Sequence, residues 1–136
     1  MAYFSSPEQF KDILGNFFHR LAVDPVVSPK LKASKLRIRF DYSDPNLSIS
    51  MDLGKDPIPI LFNDDSLQPE VQMSMKADVA HRFWLGKVNL IAALTRREMV
   101  AKGPIPKILK LLPAIKPAYA LYAEYLREKG REDLVL

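Results

Sequence analysis

No cysteine occurs among the 136 residues, which excludes disulfide staples, thiolate nucleophiles and cysteine-ligated metals. The fold must be held by its core alone, and a reducing compartment fits. Histidine is almost as scarce. His19 and His81 are the two present, and neither falls in an HExxH or HxH spacing, so both are expected to be structural or surface side chains. Five glycines leave little material for a Gly-rich phosphate loop or a dinucleotide fingerprint, and no GxSxG elbow is present. Acidic pairs such as Asp64-Asp65 and Glu132-Asp133 lie in polar stretches, where carboxylates are solvated rather than forced together in a dry pocket. The expectation is a protein that is not an enzyme and carries neither metal nor cofactor.

Long uncharged apolar runs are also missing. Spanning a bilayer takes about 18 or more such residues, whereas the most apolar stretch, 99–126, is interrupted by Lys102, Lys107, Lys110 and Lys116 and by Pro104, Pro106, Pro113 and Pro117. The opening MAYFSSPEQFKD lacks a basic segment followed by an apolar one, and the closing DLVL is not a peroxisomal address. A cytoplasmic protein is expected.

What the sequence does contain is an ordinary globular balance, 48% hydrophobic and 26% charged, enough to order a core in one domain over residues 1–136. The net charge of +4 is unevenly spread: residues 76–116 hold nine Lys or Arg against Asp78 and Glu98. The plain reading of that segment is a solvated face, and the alternative is a docking surface for an anionic membrane or partner. Nucleic acid is not expected.

Periodicity divides the chain. Phe10, Ile13, Leu14, Phe17, Phe18 and Leu21 recur at three- and four-residue intervals, which predicts a helix over Pro7 to Val23. Ser6 and Gln9 stand at capping-box spacing, and Asp24-Pro25 ends the helix. The period then changes to two: Leu36, Ile38, Phe40 and Tyr42, then Leu47, Ile49, Met51 and Leu53, alternate with polar residues across Asp44-Pro45-Asn46, as in an antiparallel hairpin. A third strand near Ile58 to Phe62 is expected at a sheet edge because of Pro57 and Pro59. Val71, Met73 and Met75 predict a fourth. Beyond it come a helix capped by Asp78 and running to Leu85, a helix over 88–95, a strand over 97–102, and helices over 105–112 and 116–129 parted by Pro113. This order gives an α+β fold with a mainly antiparallel sheet of about five strands covered by helices.

With no chemical constellation, a chain this rich in apolar side chains can still act by enclosing an apolar ligand. Burying a methylene is worth about 0.8 kcal/mol, so a long chain or sterol could gain on the order of 10 kcal/mol gross without any polar motif. The surplus lies in the second half, where Phe83, Trp84, Leu90, Leu94, Met99, Ile108 and Leu112 are prominent. A solid packed core would leave the same trace.

The segment MSMKADVAHRFWLGKVNLIAALTRREMVAKGPIPKILKLL, residues 73–112, adds a resemblance. The order of its features is that of the sterol carrier protein 2 domain family: an alternating strand reaching Asp78, Phe83, Gly86-Lys87, Asn89, Ala93-Leu94, a strand from Met99 to Gly103, and an apolar helix from Ile105 to Leu112. The chain departs from the family at Arg96-Arg97-Glu98, where a Gly-Lys usually precedes the last strand, and at Leu94, where an aromatic is common. The resemblance implies a helix-covered sheet around a hydrophobic tunnel for an apolar lipid: fatty acid, acyl-CoA, sterol or hopanoid, or isoprenoid. On that footing the lipid-binding residues are expected to be Met75, Phe83, Trp84, Leu90, Leu94, Met99, Ile108 and Leu112. Arg96, Arg97, Lys107 and Lys110 are expected to make transient contact with an anionic membrane. The resemblance also admits an accessory factor that presents a lipid intermediate to biosynthetic enzymes.

Overall fold

In the structure, a computed structural model that describes residues 2–136, the first helical stripe is one continuous rod with an irregular middle. Helix α1 (Pro7–Phe10) and α2 (Asn16–Val23) are joined by a π-helical stretch, Lys11–Gly15. A π turn leaves carbonyls poorly placed for the regular ladder. Here the Tyr125 hydroxyl donates to the Ile13 carbonyl at 2.7 Å. Gly15 belongs to the same stretch, and a Cβ on it would come within 2.8 Å of the Phe62 ring, so glycine lets the rod lie against the sheet edge. The Ser6 hydroxyl accepts from Gln9 N at 3.1 Å, as the capping spacing requires, but the Gln9 side chain reaches back to Ser5 N rather than Ser6 N.

Helix α3 (Val27–Ser34) was not expected from the sequence. Asp24, read only as a terminator, accepts from Val26 N and Val27 N at 3.0 and 2.8 Å, and Pro29 falls in the first turn, where a missing N–H costs nothing.

Five strands follow: β1 (Arg37–Ser43), β2 (Leu47–Asp52), β3 (Ile60–Phe62), β4 (Val71–Lys76) and β5 (Met99–Lys102). Their order across the sheet is β3-β2-β1-β4-β5. All neighbouring pairs are antiparallel except β1 with β4, so the fold is α+β with a mostly antiparallel sheet. The proline-flanked strand β3 is at an edge, as its composition predicts. Register sets the faces: Ile38, Phe40 and Tyr42 stand beside Met51, Ile49 and Leu47 on one side and Val71, Met73 and Met75 on the other. This apolar face meets the helices. The opposite face carries Arg39, Asp41 and Gln72, joined by Arg39 Nε to Asp41 at 3.0 Å and Gln72 Nε2 to Asp41 at 2.7 Å. Arg39 also binds Asp65 of the loop crossing that face, at 2.6 Å.

The remaining helices are α4 (Ala77–Trp84), α5 (Leu90–Thr95), α6 (Ile105–Leu109) and α7 (Leu112–Glu128). Four boundaries correct the sequence reading. Lys76, not Asp78, is the N-cap residue of α4, and the Asp78 carboxylate accepts from Tyr3 N at 3.0 Å instead. Helix α5 begins at Leu90 rather than 88, because the Asn89 side chain caps it by accepting from Ala92 N. Strand β5 begins at Met99, not 97, since Arg97 adopts a left-handed φ of 60°. The break in the last helical region falls at Lys110 and Leu111, and Pro113 lies in the first turn of α7 rather than between helices. Proline is well suited to that first turn. Gly103, at φ +102°, makes the bend from β5 into α6, where a Cβ would collide with the Glu70 carbonyl.

Candidate functional site

The two histidines differ. His19 is exposed, whereas His81 is fully buried, with Nδ1 2.8 Å from the Tyr122 hydroxyl and Nε2 2.8 Å from the Leu134 carbonyl. A carbonyl only accepts, so Nε2 carries the proton and Nδ1 accepts from Tyr122. Burial pushes the His81 pKa down from its ordinary value and the Tyr122 pKa up. With both ring nitrogens committed and aromatic rings of Tyr3, Phe4 and Tyr122 around it, the pair ties the C-terminal turn to α4. It offers no open acid or base. Among the described residues no cluster of three or more His, Asp or Glu is placed to hold a metal.

A concavity with apolar walls lies between the sheet and the helices. It is a cavity of about 70 Å³. The sheet supplies its floor through the inward residues of β1, β2, β4 and β5, among them Phe40, Tyr42, Met73 and Met99; α2 and α3 supply Phe18, Leu21, Val27 and Leu31. Phe83 and Trp84 at the end of α4, Leu90 at the start of α5, and Ile108, Leu111, Leu112 and Ile115 of the α6–α7 region close it. The aromatic walls interlock. Trp84 stands edge-on to Phe17, Phe18 and Phe83 at 5.6, 5.4 and 5.3 Å between centroids, and Phe18 leans on Phe40 at 5.7 Å.

Seven of the eight residues expected to bind lipid therefore border one cavity: Met75, Phe83, Trp84, Leu90, Met99, Ile108 and Leu112. Leu94 does not. It is half-buried on α5, packed against the core outside the cavity, because α5 has only its first turn, at Leu90, turned to the space. The residues missed from the first half include Phe18 and Leu21, on a helical stripe that reads simply as core, Phe40, Tyr42 and Met51, on strand faces that read the same way, and Val27 and Leu31, on a helix not expected from the sequence. The signal was present, but a core stripe and a cavity wall have the same spelling.

No lining residue is charged, and the only side-chain nitrogen and oxygen atoms they carry are the Trp84 indole nitrogen and the Tyr42 hydroxyl. Burial raises the Tyr42 pKa well above its ordinary value, so the hydroxyl stays neutral. Such walls bind by excluding water, not by chemistry. An anion or cation placed inside would be strongly penalised.

A second concavity, a groove of about 550 Å³ open to solvent, runs along the outer side of the contact between α3 and the α6–α7 turn. Lys30, Lys107 and Lys110 line it with Ala33, Ser34, Leu111 and Ala114. Lys107 pairs with Glu70. Arg96 and Arg97 are not among the residues lining this groove; they occupy the turn between α5 and β5, so the four basic residues expected to act together are split between two places. Among the described residues no helix is long and apolar enough to cross a membrane.

Comparison with known proteins agrees with this architecture. The sequence profile of the SCP-2 sterol transfer family matches residues 16–116. No curated protein shows significant sequence similarity. Among solved structures, the fold is similar to the sterol carrier protein domain 2 of Helicoverpa armigera, with a TM-score of 0.68 at 14% identity, covering 88% of this chain and 96% of that one. It is similar to apo sterol carrier protein 2 from Yarrowia lipolytica, with a TM-score of 0.60 at 16% identity, covering 79% and 88%. A UbiJ-SCP2 ubiquinone synthesis protein gives a TM-score of 0.60 at 14% identity, covering 87% and 95%.

Proposed function

The chain belongs to the SCP-2 sterol transfer family, and from that membership we propose that it is a carrier which encloses the hydrocarbon part of a lipid in the cavity between sheet and helices and performs no covalent step. The observation that carries this reading is the uncharged, apolar lining contributed by every layer of the fold. Met75, Phe83, Trp84, Leu90, Met99, Ile108 and Leu112 are its proposed contacts. Leu94 is not retained, since it stands outside the lining. At about 70 Å³ the cavity is smaller than the 150 Å³ that an engineered core cavity offers benzene, and far below the 300–1,000 Å³ of ordinary ligand sites. Uptake of a long chain therefore requires the α6–α7 wall to part from α3 and the sheet.

Transient docking on an anionic membrane belongs to the same proposal, supported by the exposure of Arg96, Arg97, Lys107 and Lys110. A second role, presenting the lipid to a biosynthetic enzyme, is favoured by the likeness to a ubiquinone synthesis protein.

The test is mass spectrometry of an organic-solvent extract of the purified protein, joined to titration of Trp84 emission with fatty alcohols of increasing length. A recovered lipid and a saturable response are expected. Because a methylene is worth about 0.8 kcal/mol, removing four should weaken binding by a factor of roughly 200. A flat titration for every length, with nothing extracted, would reject the carrier.

A further inference from the structure

We propose that the lysine groove is the seat of an anionic headgroup, of the phosphate or carboxylate class, belonging to the same amphiphile whose chain enters the cavity. The inference rests on the carrier reading above and adds the ligand's charge and orientation.

Cavity and groove are the two sides of one seam. On α3, Val27 and Leu31 face the cavity, while Lys30, Ala33 and Ser34 face the groove. Across the seam, Ile108 and Leu112 face the cavity and Lys107 and Lys110 the groove. Leu111 lines both, so the two spaces meet at its side chain. The cavity has no cation to receive a charged group and would penalise one strongly. The charge of an amphiphile whose chain lies inside must remain outside, and a chain threaded past Leu111 brings it to the groove.

There the electrostatics are one-sided. Three lysines line the groove, and no carboxylate is among its lining residues. Glu70 engages Lys107 alone, leaving Lys30 and Lys110 without an acidic partner among the described residues. Like charges brought together on two different elements repel across the seam, and an anion between them relieves that repulsion while forming charge-assisted hydrogen bonds. A neutral lipid gains none of this.

The experiment compares hexadecyl phosphate with hexadecanol, both as monomers at low salt, in the wild-type protein and in the Lys30→Gln/Lys110→Gln variant. Both replaced lysines are exposed, so the fold should be unaffected, and Trp84 emission supplies the readout. We expect the wild type to bind the phosphate roughly ten-fold more tightly, a preference that fades with salt. In the double variant the preference should vanish while hexadecanol affinity stays unchanged. Equal affinities in the wild type would overturn the headgroup seat but leave the carrier standing. Failure of both lipids to bind would remove the carrier and the seat together. If inorganic phosphate alone binds as tightly as hexadecyl phosphate, the groove is a free-anion site and the inference falls. It falls equally if the double variant keeps the monomer preference and loses only its binding to vesicles of anionic phospholipid.

Discussion

His81 makes its two hydrogen bonds deep in the core, and its pKa follows from that burial. Burial lowers it first, the positive charges of Arg82 and Arg131 lower it further, and the Leu134 carbonyl and Asp78 oppose them. The folded pKa therefore lies below the ordinary 6.5. Between the two values the unfolded chain binds a proton that the folded chain refuses, so stability rises with pH across that window. The contribution is fully present above 6.5 and is lost as pH falls from there through the folded pKa. Urea midpoints measured between about pH 7.5 and 5 should decline toward acid, and His81→Gln should flatten that decline. An unchanged slope in the variant would place the titration elsewhere. Ser50 carries the opposite lesson. Its hydroxyl is fully buried in β2 with no hydrogen-bond partner among the described residues, and a buried polar group left unpaired costs about 1–3 kcal/mol. Ser50→Ala should raise stability by about 1 kcal/mol in equilibrium unfolding, and a loss of stability would mean that the hydroxyl is satisfied.

Strand β5 owes its start to a single strained residue. Arg97 sits at φ 60°, a left-handed conformation that costs a side-chain-bearing residue about 1 kcal/mol or more and costs glycine almost nothing. It stands in the Arg96-Arg97-Glu98 stretch, where the family commonly has glycine followed by lysine. Arg97→Gly should therefore stabilise the protein by about 0.5–1 kcal/mol, read as a higher urea midpoint at constant m-value. A lower midpoint would show that the arginine side chain contributes more than its backbone costs. Helix α6 is weak for a different reason. It has five residues and no side-chain cap, sits between the Gly103 bend and the Lys110–Leu111 break, and is tied to the loop just before β4 by the Lys107–Glu70 pair. So short a helix has little stability of its own, which suits the wall that must move for a lipid to enter.

At the scale of the whole molecule, the proposed carrier differs from a merely well-packed domain in using the cavity. Ile108 is buried on α6 and lines the cavity, so a larger side chain there has space to enter. Ile108→Trp should cut hexadecanol affinity at least ten-fold while changing stability by less than about 1 kcal/mol. Overpacking a solid core typically costs 1–3 kcal/mol. Calorimetric binding and urea unfolding on the same preparation separate the cases: strong destabilisation with unaltered binding would mean that the cavity is packing slack rather than a ligand site. Leu94→Trp, at a position outside the lining, serves as the control and should leave affinity unchanged.

The sequence by itself determined the elements whose period is enforced by burial on one face. The alternation from Leu36 to Leu53, and again from Val71 to Met75, places those residues on one side of a sheet whatever lies above it, and Pro57 and Pro59 confine β3 to an edge. The resemblance in residues 73–112 likewise pointed to the family. Tertiary structure decided the rest. Helix α3 was illegible because Asp24-Pro25 read only as a terminator, and it is packing against α2 and α7 that buries Val27 and Leu31. The parallel pairing of β1 with β4 depends on how the 63–70 loop crosses the outer face, fastened there by Arg39 and Asp65. Leu94 and Leu90 share one helix and one hydropathy, yet only Leu90 reaches the cavity. Lys30 meets Lys107 and Lys110 across 77 or more residues of chain because α3 packs on the α6–α7 turn. A periodic pattern specifies which side of an element is apolar; which of those apolar sides meet completely and which leave space between them is fixed only when the elements pack.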